Sequence, residues 1–354
     1  MSPSSHETGF ALAEALVAAV LGLLVVGAAL GWLVRQSTQA ESHPDRADLQ
    51  QRARAAGDIL SRELGSAGAW EVLGGAVPAM ACCVPVVQPR RLGAVSPDPP
   101  GTARSDAITV VRVRDLAVAA RLAQPFAGDT AWLEPDRACG VDPACGIGVD
   151  DHLLLFEPGG GHDFFLAAPP VGSALALTPR QPSAPVAMYQ PGAVVVPVET
   201  RTLYFDAPAH QLRMYDGYQS DVPVIDNVSA LAFEYWGTRA APARARLEDA
   251  DSCWFDAAGN VRHGRGATGS SDPDVRIDPA EFQDGPWCGA GDNRFDADLL
   301  RIRRIRASIR LRAGDQARGR GSGFADSGRA RSADRLVPDL EVSIDVAPRA
   351  LSFD

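Results

Sequence analysis

A single carboxylate, Glu14, stands near the front of an apolar run that extends from Phe10 to Val34. Placing an acid inside such a run costs roughly 2.5 kcal/mol or more on membrane-insertion scales, so it needs a partner and a purpose. Where screening is weak, a nearby cation is the partner that lowers this cost. Six cysteines offer a second chemistry: Cys82, Cys83, Cys139, Cys145, Cys253 and Cys288. An even number on an exported chain points to disulfides. Proximity favours Cys139–Cys145 and Cys253–Cys288, which leaves vicinal Cys82 and Cys83 to bond each other under strain or to reach elsewhere. The paired CxxC spacings of a structural zinc site are absent. Asp249, Asp251 and Asp256 with Asn260, and Asp292, Asn293, Asp296 and Asp298, carry oxygens of the kind calcium takes. Neither stretch has the EF-hand spacing, and solvated loop acids explain both. His152, His162 and Asp163 would meet if a hairpin brought them together. The histidines are otherwise scattered and no GxSxG motif occurs, so catalysis is not expected. Arg301, Arg303, Arg304, Arg306, Arg310 and Arg312 are the main basic concentration. They lack neighbouring aromatic stacking partners, so a solvated strand face is favoured over nucleic-acid binding.

Several elements must position these groups. The chain has 354 residues, a net charge of −10 and no lysine, a balance that does not imply bulk nucleic-acid binding. Phe10 to Val34 is long enough to cross a bilayer as a helix. Its leader, Met1 to Gly9, has no Lys or Arg, and the first Arg, Arg35, lies beyond the span. A cleaved secretory signal would have a positive start and a shorter apolar stretch. A plain signal anchor accounts for the length but not for Glu14. Ser42-His43-Pro44-Asp45 reads as a helix stop and restart. Leu49, Ala53, Ala56, Leu60 and Leu64 then recur at helical spacing as an ordinary core face, and Gly65 and Gly68 end the helix.

Beyond Trp70 the pattern is strands and loops. Strands are predicted over 107–113, 152–156, 163–167, 192–198, 201–205, 211–215, 227–236, 300–311 and 340–346. The segments 152–156 and 163–167 form a hairpin, and 300–311 carries a bulge near Arg303-Arg304. Two stretches, about 240–291 and 314–335, read as flexible insertions.

Gly9-Phe10, with Glu14 as the fifth residue from that Phe and an apolar helix behind it, resembles the N-terminus of type IV prepilins and type II secretion pseudopilins. Ala11 stands where many major pilins have Thr. The resemblance implies that prepilin peptidase cuts between Gly9 and Phe10 and that the new N-terminus, Phe10, is methylated. It also implies that Glu14 of one subunit neutralises the amine of another, so that the pair sets axial register in a filament. Arg52 to Trp70, with its Arg62-Glu63-Leu64 and Gly68-Ala69-Trp70, resembles the segment after the spanning helix in PilW-type minor pilins, and more loosely in GspJ-type pseudopilins. Leu203 to Tyr235 and the Arg-aliphatic strand Arg301 to Arg312 are similar to the C-terminal half of the same proteins. The middle, about 71–200, matches nothing recognisable.

The expectation is therefore an α+β, pilin-like fold. A long N-terminal helix, membrane-spanning in its first half, packs on antiparallel β-sheet with disulfide-bearing loop insertions. The expected divisions are a leader at 1–9, a spanning helix at 10–35, its amphipathic continuation at 36–66 and a β-rich head at 67–354. What the resemblance implies is a structural, non-enzymatic minor pilin that starts or caps a pilus. It would sit in the inner membrane with a periplasmic head and then move to the cell-surface pilus. Its partners would be the major pilin, other minor pilins, prepilin peptidase and a tip adhesin, with no nucleic acid. No cofactor is expected, calcium being the one considered. Two alternatives stay open: a GspJ-like pseudopilin of type II secretion, and a membrane-anchored binding or hydrolytic ectodomain.

Overall fold

The computed structural model describes residues 11–70, 72–73, 84–92, 103–114, 117–134, 139–140, 142, 144–157, 161–180, 188–238, 275–279, 281–284, 297–313, 329–332 and 335–351. The protein is α+β, with one long N-terminal helix and large antiparallel sheets. Helix α1 is Ala11–Gly65. The stop predicted at Ser42-His43-Pro44-Asp45 is not made, because α1 runs through it. Proline removes one N–H, the one that would bond back to residue 40, but the remaining ladder carries the helix past it.

The predicted core stripe is buried throughout: Leu49, Ala53, Ala56, Leu60 and Leu64 are each at most 5% exposed. The helix ends where expected. The Ser66 hydroxyl donates to the Glu63 carbonyl at 2.7 Å, and the Gly68 N–H donates to the Val111 carbonyl at 2.8 Å. Gly68 has φ +70°, and a Cβ there would stand 2.9 Å from Ala350 Cβ, so both backbone and space call for glycine.

The larger sheet is built on one strand. The strands before it include β1 (Ala107–Val113), β2 (Ala120–Leu122), β3 (Thr130–Glu134), β4 (His152–Phe156), β5 (His162–Ala167) and β6 (Ala174–Pro179), and the short strand Val87–Gln88 pairs with β1. Next comes β7, Val194–Asp206, where the two predicted segments 192–198 and 201–205 join into one strand. It is followed by β8 (Gln211–Tyr215) and β9 (Asp221–Asp226). The first part of β7 pairs with β2 and β4, and the later part with β1 and β8. From β2 the hydrogen-bonded order runs to β3, β6, β5 and β4, and β4 pairs with β7 again. The strands β7, β2, β3, β6, β5 and β4 thus close into an antiparallel ring, which leaves them no open edge. Its interior is filled by side chains that include Leu122, Phe126, Leu133, Phe165, Tyr189 and Val195.

A second sheet has the order β11-β10-β12-β15, comprising β10 (Val228–Gly237), β11 (Val275–Ile277), β12 (Ile302–Leu311) and β15 (Leu340–Val346). Between β12 and β15 lie β13 (Arg329–Ser332) and β14 (Arg335–Pro338). The predicted bulge is present: Trp236 pairs with Arg304 but Gly237 pairs with Ile302, so Arg303 is the extra residue. The insertion predicted at 240–291 is not wholly unstructured, since β11 joins the sheet beside β10 and a short helix α2, Glu281–Asp284, follows it. The helix packs on β15. A Cβ built at Gly57 or at Gly65 would stand 3.9 Å from a methyl of Val342 or Val346 respectively.

The chain divides into two compact units. One is 52–311 with 341–354 and holds both sheets. The other is 1–51 with 312–340 and holds the first part of α1 together with β13 and β14, which pair antiparallel. That pairing replaces the mobile loop expected at 314–335 over part of its length.

Candidate functional site

The first part of α1 is both apolar and exposed. Glu14–Leu33 is 20 residues with a mean hydropathy of 2.5, and none of it is buried. Leu23 is 72% exposed and Val25 is 68% exposed, although a core helix would cover such side chains. By length and composition this helix is apolar enough to span a membrane. Glu14 lies in its first turn, the only acid between it and Leu33. An acid in a first turn also interacts favourably with the partial positive charge at a helix N-terminus. Gly9 and Phe10 lie outside the described residues.

Cys139 and Cys145 form a disulfide, as their proximity predicted. Asp142 organises this small loop, its carboxylate accepting from the N–H groups of Ala144 at 2.9 Å and Gly146 at 2.7 Å. Cys82, Cys83, Cys253 and Cys288 lie outside the described residues. So do the calcium candidates Asp249, Asp251 and Asp256 with Asn260, and likewise Asp292, Asn293 and Asp296. Asp298 is described: it is fully buried and paired at 2.7 Å with Arg301, which also bonds Glu281 at 3.0 Å. That carboxylate serves a buried ion pair. Among the described residues no cluster of three His, Cys, Asp or Glu side chains is placed to hold a metal.

His152 and His162 do not meet. Both belong to the predicted hairpin, but His152 pairs with Leu166 and His162 with Phe156, at opposite ends of it. Asp163 accepts instead from the Tyr189 hydroxyl at 2.9 Å. His152 stacks edge-on against Tyr218 at 5.4 Å. Burial first, and then the charge of Arg180, push its pKa down to about 4, so the ring is neutral at physiological pH.

The arginines of β12 face acids across the sheet. Arg304 and Arg306 both bond Asp345, at 3.1 and 3.0 Å, Ser308 meets Ser343 at 2.8 Å, and Arg310 bonds Glu341 at 2.9 Å. Residue numbers fall along one strand as they rise along the other, so β12 and β15 run antiparallel. Hydrogen bonding from Arg306, with its charge, holds the Asp345 carboxyl below the usual range. The stacking partner missing from the local sequence comes from β10: the guanidinium groups of Arg304 and Arg306 lie over the Trp236 ring at 4.5 and 4.9 Å.

No protein-family model matches the chain. No curated protein matches it either. The site is therefore read from its own chemistry: a long apolar surface with one acid at its start, carried on a helix whose other half belongs to a folded core. Sequence reasoning missed the closed ring of strands, whose pairings are long-range. It also missed Arg180, which follows β6 and is buried at 2% exposure. Nothing in the local sequence marks that arginine as internal.

Proposed function

We propose that this chain is a structural subunit held in the inner membrane by α1 and passed from there into a filament, a minor pilin of the PilW class. The observation that carries this reading is the exposure of every residue from Glu14 to Leu33, at a mean hydropathy of 2.5, on the helix whose stripe from Leu49 to Leu64 is core. A bilayer and a bundle of like helices are both surroundings that cover such a segment. Glu14 supplies what a plain anchor does not need. An acid at the start of an apolar helix pairs with an amine on a neighbouring helix, and at low dielectric the pair sets how far one helix slides along the other. The amine would be that of Phe10 after cleavage at Gly9. The β-rich part then lies on the periplasmic side, where the Cys139–Cys145 disulfide persists. The partners are prepilin peptidase, the major pilin and other minor pilins, and the role is assembly rather than catalysis.

The test is the N-terminus of the full chain, taken from membranes and measured by mass spectrometry with and without a prepilin peptidase. A mature chain starting at methylated Phe10, seen only with the peptidase, is the expected result. An intact Met1, or a cut beyond the apolar run, refutes the reading and leaves an anchored ectodomain or a secreted protein.

A further inference from the structure

Arg180 sits where the start of β4, the end of β6, the middle of β7 and the turn after β8 come together. Its Nη2 donates to the Gly217 carbonyl and its Nη1 to the Thr200 hydroxyl at 3.4 Å, a long bond. Its Nε–H is buried and has no acceptor among the described residues. Among the described residues no carboxylate bonds the guanidinium directly, although the charge of Asp216 acts on it from nearby. Asp216, the acid of the adjoining turn, is engaged elsewhere, accepting from the N–H groups of Tyr218 at 2.8 Å, Gln219 at 3.0 Å and Ser220 at 3.1 Å. Burial pushes the pKa of Arg180 down to about 10, so it keeps its charge at neutral pH.

The surroundings are polar well beyond this one side chain. Gln88, Thr109, Thr200 and Thr202 are each at most 1% exposed. The hydroxyls of Thr109 and Thr202 meet at 2.6 Å, and Thr200 donates to the Asp216 carbonyl at 2.6 Å. Gln88 also accepts from the Arg90 guanidinium at 3.1 Å, so the seam brings a second cation near it and, among the described residues, no acid bonded directly to Arg180. Burying a cation costs several kcal/mol, which neutral dipoles and the indirect charge of Asp216 only partly offset. Gly217, at φ +83°, keeps the turn free of a side chain there: a Cβ would come within 2.9 Å of the Leu92 carbonyl.

We propose that Arg180 holds one small monovalent anion, a halide or a carboxylate, at its Nε–H, beneath the half-exposed rings of His152 and Tyr218. Such an anion accepts from the Nε–H and supplies a counter-charge in direct contact, which Asp216 does not.

The full chain in non-ionic detergent is melted at constant ionic strength while sodium gluconate, whose anion is too large to enter, is replaced by sodium chloride or by sodium acetate. The expected result is a saturable rise in Tm of about 5 °C with chloride, acetate or both. Saturation by acetate identifies a carboxylate-sized site, and saturation by chloride alone a halide site. Arg180→Met should abolish the rise. The absence of any saturable rise in the wild-type chain overturns the proposal without reference to a variant, as does an undiminished rise in Arg180→Met.

Discussion

Leu24 lies near the middle of the exposed apolar run and is 64% exposed, so Leu24→Arg separates membrane insertion from folding. At about 1.5 Å per residue the run spans about 30 Å, which places residue 24 about 15 Å from either end, too deep for an arginine to reach the headgroups without distorting the bilayer. Six leucines and four valines lie between Glu14 and Leu33. At about −0.3 to −0.6 kcal/mol each they favour insertion by about 3–6 kcal/mol. Exchanging one central leucine for arginine costs about 3–4 kcal/mol, most of that total. Adding Leu23→Arg roughly doubles the cost and exceeds it. The assay is the fraction of full-length chain retained in alkaline-carbonate-washed membranes, with a thermal melt of the same variants in detergent. The single variant should be partly lost from the membrane and the double variant almost wholly lost, both with unchanged Tm. Full retention of the double variant refutes the spanning helix. A fall in Tm of more than about 5 °C at unchanged retention shows instead that this half of α1 is part of the fold.

Gly237→Ala should cost about 2–3 kcal/mol, or about 5–10 °C in Tm, because its Cβ would fall 1.8 Å from the Arg301 carbonyl oxygen, the acceptor of the Thr238 N–H; an unchanged Tm would mean that the strands separate there at little cost. His152 is lowered from 6.5 to about 4 by burial and then by Arg180, so the unfolded chain binds the extra proton between these values. Stability is then full above pH 6.5 and declines as pH falls towards 4. The ring is half-exposed, so the loss is on the order of 1 kcal/mol, and a pH series of urea melts should show it in the wild type but not in His152→Phe. Replacing both Cys139 and Cys145 by Ser opens a loop with a sequence separation of 6, and should cost about 2 kcal/mol by chain entropy, measured by urea denaturation.

Local periodicity placed much of this fold because its causes are local. The stripe from Leu49 to Leu64 repeats at helical spacing, and each member is buried. The strand with Ile302, Ile305, Ile309 and Leu311 on one face announced both itself and the break in alternation at Arg303. Pairing is a different matter. Nothing in β7 says that it takes β2 and β4 along its first part and β1 and β8 along the rest, so the closed ring was invisible. Val275-Arg276-Ile277 is too short a run to stand out from the Gly- and Asp-rich segment around it, yet tertiary pairing makes it a strand. Pro44 misled in the other direction, since a local helix breaker was outweighed by the helix on both sides of it. At the candidate site the apolar run and Glu14 were legible for the same reason as the stripe. Arg180 was not, because a buried cation and a surface cation look alike in sequence.

The contact of α1 with β15 sets an order of events during synthesis. Gly57 leaves the ribosome long before Val342, the residue it lies beside. At about 5–20 residues per second the interval is about 15 s to 1 min. For that time the face of α1 that carries Gly57 and Gly65 has no β15 against it, although the helix itself is already made. The helix is therefore complete long before the core is, and a chain stopped short of β15 leaves that face of α1 uncovered, a state that proteases are well placed to remove.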